Sequence, residues 1–149
     1  MDVSVSALRA DERKAWEGLY RGYAKFYQMP MNDEILGRVW SWIFDAETRF
    51  FALVARSQDG ALAGFMHYRE MLSPLRGCEV GFLDDLFVDP TARGSGVVDA
   101  LFEALSSEAE ARGWPVVRWI TADDNYRARS VYDRLAKKTH WVTYQLDIA

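Results

Sequence analysis

The stretch Glu79–Thr121 constrains this chain more than any other part of it. Glu79–Val88 reads as a strand that ends at Asp89-Pro90, and Thr91-Ala92-Arg93-Gly94-Ser95-Gly96 follows as a glycine-bearing loop. Val98, Leu101, Phe102, Leu105 and Ala109 then recur at i, i+3, i+4, i+7 and i+11, which marks one face of a helix. Gly113 and Pro115 stop that helix, and Val116–Thr121 reads as another strand. Strand, loop, helix and strand in this order call for two parallel strands joined by a right-handed crossover. The class is α/β.

The remaining segments fit around that unit. Val3–Leu8 alternates apolar and polar residues, as a half-buried strand does. Asp11 is placed to cap a helix carrying Ala15, Trp16, Leu19, Tyr20, Tyr23 and Phe26, which Pro30 stops. Asn32 offers a cap for a second helix with Ile35, Val39 and Ile43, running to about Phe44. Phe50–Ala55 and Ala61–Tyr68 flank the turn Ser57-Gln58-Asp59-Gly60 and read as a hairpin. Beyond the crossover, Asp123 or Asp124 caps a last helix bearing Ala128, Val131, Tyr132 and Leu135, and His140–Ile148 alternates as a closing strand. The expectation is a mixed sheet of about six to seven strands with about four helices. With 149 residues, 50% hydrophobic and 27% charged, a single domain over 1–149 is expected and wholesale disorder is excluded.

Several function classes fall away. A net charge of −4 gives no long-range pull toward phosphate backbones, so nucleic acid is not an expected partner. His67 and His140 lie far apart and Cys78 has no second cysteine, so no metal-ligand spacing exists and no metal is expected. No apolar run approaches the ~18 residues that suggest a membrane span, and Met1-Asp2-Val3-Ser4-Val5-Ser6 lacks the features of a signal peptide. A lone cysteine suits a reducing compartment, and the cytoplasm is the expected location.

A loop with two glycines leading into a helix presents free backbone N–H groups and the positive end of the helix dipole, a seat for phosphate or pyrophosphate. Arg93 adds a positive charge beside it. A plain turn uses the same residues, so the loop alone leaves both readings open. No Gly-Lys-Ser/Thr closes it, which excludes a Walker A site. A dinucleotide fingerprint needs a third glycine where Asp99 stands, and an acidic residue about twenty positions on that Pro115–Trp119 lacks.

Leu83-Asp84-Asp85-Leu86-Phe87-Val88-Asp89-Pro90, followed by Arg93-Gly94-Ser95-Gly96-Val97-Val98, resembles the strand and Arg/Gln-x-x-Gly-x-Gly/Ala loop of the GNAT superfamily of acetyl-CoA-dependent N-acyltransferases. Asn125 and Tyr132, seven residues apart, match a second signature of that family, and the order of elements from Val3 to Ile148 fits it. Leu-Asp-Asp-Leu-Phe-Val is similar to the strand of the diamine (spermidine/spermine-like) acetyltransferases. Arg129-Ser130-Val131-Tyr132-Asp133-Arg134-Leu135-Ala136-Lys137-Lys138-Thr139 is similar to a group acting on small amines, amino acids or histone-like peptides. One departure is Val98, where the family usually has Gly or Ala.

The resemblance implies an enzyme that uses acetyl-CoA as cosubstrate and acetylates a primary amine of a small molecule such as a polyamine or amino acid. A lysine-like amine has a pKa near ~10.4 and must first lose a proton. Two carboxylates inside an apolar strand are costly for structure alone, so Asp84 and Asp85 are candidate bases, with Asp84 in the family's position and Glu79 as the alternate. An aspartate is shorter than the family's glutamate, which invites a relaying water. Matching tyrosines protonate the coenzyme A sulfur, which points to Tyr132. The family pairs pantetheine with main chain of the strand, here Leu86, Phe87 and Val88, and seats pyrophosphate on the amides of Gly94, Ser95, Gly96, Val97 and Val98 beside Arg93. Asn125 caps its helix or holds pantetheine, or both. Phe26 and Tyr27, with Asp85, are the implied acceptor contacts, and Trp119 and Trp141 are read as sheet packing. A homodimer is implied as well. The competing reading, prompted by Val98, is an acyl-CoA-binding or regulatory module with no turnover.

Overall fold

The computed structural model describes residues 2–149, which form two compact units, one running to Trp119 and one from Ile120 to Ala149. In the first unit, β1 (Val3–Ala7), β2 (Phe50–Ser57), β3 (Leu62–Ser73), β4 (Cys78–Val88) and β5 (Val117–Arg118) make one sheet in the order β1-β2-β3-β4-β5. The first four strands are antiparallel neighbours and β5 joins β4 in parallel, as the crossover demands.

Strand alternation decides which helix covers which face. Phe65 and His67 turn their rings to Trp16, Tyr20 and Tyr23 of α1 (Arg13–Phe26). Gly64, one residue out of phase, lets the backbone of β3 approach Val97 at the start of α3 (Val97–Arg112). The helices therefore lie on opposite faces, with α2 (Asp33–Phe44) packed on β2. Trp16, Leu36, Val54 and Phe65 are fully buried at the heart of the core on the α1 side.

The helix ends mostly follow local chemistry. Asn32 accepts the Ile35 N–H at 2.9 Å and caps α2. Gly113, at φ 75°, takes the left-handed conformation that ends α3. Asp11 does not cap α1; residues Ala10–Glu12 form a short 3-10 turn in which Glu12 accepts the Arg9 N–H at 2.9 Å. Pro30 does not set the end of α1 either, because Gln28 already turns left-handed at φ 55°.

The expected strand count is too high. Val116–Thr121 shortens to the two residues of β5, and His140–Ile148 forms no strand. In the second unit, α4 (Tyr126–Leu135) is capped by Asn125, which accepts the Ala128 N–H at 3.4 Å, rather than by Asp123 or Asp124. Trp141 is 78% exposed and is not sheet packing, whereas Trp119 of the first unit packs on Phe102 of α3. Among the described residues no helix is long and apolar enough to cross a membrane.

Candidate active site

The two strand carboxylates owe their arrangement to a bulge. His67 pairs with Asp85 and Tyr68 with Leu83, which leaves Asp84 as an extra residue without a partner across β3. Adjacent strand residues normally point to opposite faces, and a bulge re-aims one of them. Here the Asp84 carboxylate reaches Arg69 at 3.0 Å, while Asp85 meets His67 at 2.8 Å. His67 and Arg69 are two residues apart on β3 and share a face. Both carboxylates thus serve the same side of the sheet.

Their surroundings differ sharply. Asp85 Oδ2 accepts from the Tyr20 hydroxyl at 3.0 Å and lies 2.8 Å from His67 Nδ1, and the Tyr23 hydroxyl also bonds this carboxylate. Burial pushes the Asp85 carboxyl up, but the hydrogen bond and electrostatic interaction with His67, together with the Tyr23 and Tyr20 hydroxyls, more than offset it and hold it below the usual aspartate range. The two tyrosines shift the other way, pushed well up by burial and by the Asp85 charge. Asp84 is less well served: its Oδ2 is buried and accepts no hydrogen bond from the described residues. Desolvation is the largest influence on it, and with the charge of Asp85 it outweighs Arg69 and raises the Asp84 carboxyl above its ordinary value.

His67 is fully buried and bonded on both ring nitrogens, with Trp16 Nε1 2.9 Å from Nε2. The indole N–H only donates, so Nε2 must accept and the proton must sit on Nδ1, facing Asp85. Nothing in the sequence analysis assigned His67, Trp16, Tyr20, Tyr23 or Arg69 to the site. A weak signal was present for His67, which alternates in phase with Phe65 on an apolar strand and so was bound for burial.

The carboxyl end of β4 is arranged differently. β5 pairs with β4 only at Gly81 and Phe82, so from Leu83 to Val88 no strand among the described residues occupies that edge. Leu86, Phe87 and Val88 lie on this open stretch. A 3-10 turn (Pro90–Ala92), in which Asp89 accepts the Thr91 N–H at 2.9 Å, leads to the glycine loop. Gly94 and Gly96 adopt φ values of 79° and 84°, which only glycine takes without strain, and α3 starts immediately after. Ser95 bonds its hydroxyl to the Ala92 carbonyl, Val97 is buried and Val98 half-buried. The α3 amino terminus and the loop can hold a phosphate group by backbone N–H donation.

Beside this end lies an open cleft of about 670 Å³ whose lining includes Gly18, Gly22, Lys25, Phe26, Phe87 and Arg93. It brings together Phe26, Phe87 and Arg93, and the Arg93 guanidinium stacks over both rings at 5.7 and 5.8 Å. Tyr27, 40% exposed, packs on Tyr23 but does not line the cleft. Asp84 and Asp85 do not line it either. Glu79 is exposed, pairs across from Leu72 and stands five residues before Asp84. Asn125 and Tyr132 belong to the second unit, where Tyr132 is half-buried on α4 and Asn125 caps that helix.

Residues 12–136 match the model of the acetyltransferase (GNAT) family. The D-amino-acid N-acetyltransferase HPA3 of Saccharomyces cerevisiae is 31% identical over 144 residues, covering 96% of this chain and 89% of that protein. A solved aminoglycoside N-acetyltransferase, AAC(6')-Iy in complex with CoA, superposes with a TM-score of 0.86 at 20% identity, covering 99% of this chain and 96% of that one. A ribosomal-protein-alanine N-acetyltransferase from Brucella melitensis biovar Abortus 2308 gives a TM-score of 0.80 at 24% identity, covering 99% of this chain and all of the other.

Proposed function

The chain belongs to the acetyltransferase (GNAT) family, and on that premise we propose that it moves the acetyl group of acetyl-CoA directly onto a primary amine of a small molecule. The observation that carries this reading is the asymmetry of the two β4 carboxylates: a desolvated Asp84 with one bare oxygen beside an Asp85 whose Oδ2 is bonded by both His67 and Tyr20. A lysine-like amine at pH 7 is almost entirely protonated, and reaching its neutral form costs about 4–5 kcal/mol. Asp84, whose raised affinity for a proton suits it to the task, takes that proton directly or through one water. The freed nitrogen attacks the thioester carbonyl carbon, the C–S bond breaks, and the departing sulfur receives a proton from the Tyr132 hydroxyl. That last assignment is what the match of Asn125 and Tyr132 to the family's signature implies.

Acetyl-CoA fits the residues present. The open β4 edge at Leu86, Phe87 and Val88 offers main-chain groups to the pantetheine amides, as an added strand would. Arg93 and the amides of Gly94–Val98 suit the pyrophosphate, and Asn125 is our second candidate for the pantetheine arm. Phe26, Tyr27 and Asp85 are our acceptor contacts, with aromatic faces and a negative charge for a cationic amine. The yeast relative's action on D-amino acids and the AAC(6')-Iy likeness favour small-molecule acceptors, amino acids among them; the diamine-type motif favours polyamines. We read 1–149 as one N-acetyltransferase domain, working in the cytoplasm as a homodimer.

The test is free-thiol release from acetyl-CoA against a panel of D- and L-amino acids, polyamines and aminoglycosides. Thiol release with at least one of them is expected, and Tyr132→Phe is expected to slow it by at least tenfold. No release with any acceptor would refute the reading, and unchanged turnover in Tyr132→Phe would remove Tyr132 as the acid. Sedimentation at micromolar concentration reads the oligomeric state, with a mass of two chains expected.

A further inference from the structure

His67 is fully buried with its ring against those of Tyr20, Phe50 and Phe65, yet no step of acetyl transfer has been given to it. A buried polar ring is costly unless both nitrogens are satisfied, and here both are, by partners on two different elements. Only one tautomer permits this. With the proton on Nε2, that N–H would oppose the Trp16 N–H, and the bare Nδ1 would face a carboxylate oxygen; both bonds would be lost together.

We propose that His67 is a positioning residue for acetyl transfer: held by the Trp16 indole with its proton on Nδ1, it donates to Asp85 and fixes that carboxylate as an anion beside Asp84, so that the amine's proton goes to Asp84. The proposal rests on the acetyltransferase reading of this site. Asp85 Oδ2 already accepts from His67 and Tyr20, so protonating it means displacing a donor. Asp84 Oδ2 carries no donor to displace. Two adjacent carboxylates cannot both be easily charged, and fixing the charge on one makes the other the better proton acceptor. Arg69, 3.0 Å from the other oxygen of Asp84, and the direct influence of His67 itself both work against this effect, and neither bonds the second oxygen. The chain of influence runs from Trp16 through His67 and Asp85 to Asp84, and every link is a contact of 3.0 Å or less except the last, which acts by charge.

Two readouts on the full chain test this. Nitrogen–proton NMR of the imidazole in the unliganded protein is expected to show a single tautomer protonated on Nδ1; a proton on Nε2 overturns the proposal. Acetyl transfer is then compared in His67→Asn and His67→Leu. An asparagine amide can place an N–H near the Nδ1 position, whereas leucine keeps bulk and loses the donor. His67→Leu is expected to lose kcat on the order of 10- to 100-fold, the size of one charge-assisted hydrogen bond. The loss falls on kcat more than on KM for acetyl-CoA, and His67→Asn recovers most of it. Equal activity in the two variants, with wild type active, overturns the positioning role alone. A wild type inactive toward every amine overturns the acetyltransferase reading and this role with it. Should His67→Leu fail to fold, Trp16→Phe supplies the same test: loss of the single tautomer together with lower kcat is expected, and both unchanged overturns the proposal.

Discussion

Arg56–Glu12 and Arg69–Asp84 are both arginine–carboxylate pairs, and both lie where the sheet bulges. In the first pair the guanidinium spans both Glu12 oxygens at 2.7 and 2.6 Å, and it also bonds the Ala7 carbonyl and the Ser6 hydroxyl. Its side chains are 5% and 13% exposed, and the arginine's hydrogen bond holds the Glu12 carboxyl below its usual range. In the second pair one nitrogen touches one oxygen, Arg69 is half in solvent, and the other Asp84 oxygen is buried and bare. The same chemical pairing thus lowers one carboxyl and fails to stop the other from rising. A carboxylate given every donor it can take holds the fold together. One left short of donors keeps its appetite for a proton, and that is what amine chemistry requires.

Replacing each carboxylate by its amide should separate these roles. Asp84→Asn is expected to lower kcat/KM on the order of 10²- to 10⁴-fold, the usual worth of a general base, while its melting temperature does not fall. Thiol release and thermal unfolding read the two effects. Glu12→Gln strands a buried guanidinium and is expected to cost about 3–5 kcal/mol in urea unfolding, with kcat/KM of the folded protein within about twofold of wild type. A destabilised Asp84→Asn with normal turnover would invert the comparison.

Arg69→Leu sharpens it. Arg69 is the main lowering influence on Asp84, which otherwise faces His67 of β3, Tyr20 of α1 and the neighbouring Asp85. Its removal should raise the Asp84 carboxyl further and move the acidic limb of kcat/KM to higher pH; a shift to lower pH would contradict the assignment. The smallest effect is in stability against pH. Glu12, lowered in the fold, contributes stability that is full above the unfolded value near ~4.3 and is lost as pH falls through the folded value. Asp84, raised in the fold, does the reverse: ionising it costs stability as pH rises from the ordinary aspartate value of ~3.9 through the folded value. The stability gap between wild type and Glu12→Gln should therefore shrink in acid, while Asp84→Asn should gain on wild type as pH rises from acid to neutral.

What the sequence disclosed follows the range of the forces involved. The strand, glycine loop and helix over Glu79–Arg112 were legible because periodicity and backbone chirality are local. Tyr20 and Tyr23 were placed on the packing face of their helix, but their hydroxyls found Asp85 some sixty residues away, a contact that no local pattern encodes. The bulge at Asp84 was equally hidden, because register is set across strands. His140–Ile148 shows the converse: its alternation is real, yet a strand exists only with a partner, and none pairs with it among the described residues. The Asp123 or Asp124 cap missed by one or two positions, the ordinary margin when acceptors stand side by side.

The most direct measurement is a carbon-13 NMR titration of the Asp84 and Glu12 carboxyls in one sample of the unliganded protein. The expected result is Asp84 titrating above the ordinary aspartate value of ~3.9 and Glu12 below the ordinary glutamate value of ~4.3. An Asp84 that titrates at or below its ordinary value would contradict the claim that this carboxylate is held ready for a proton.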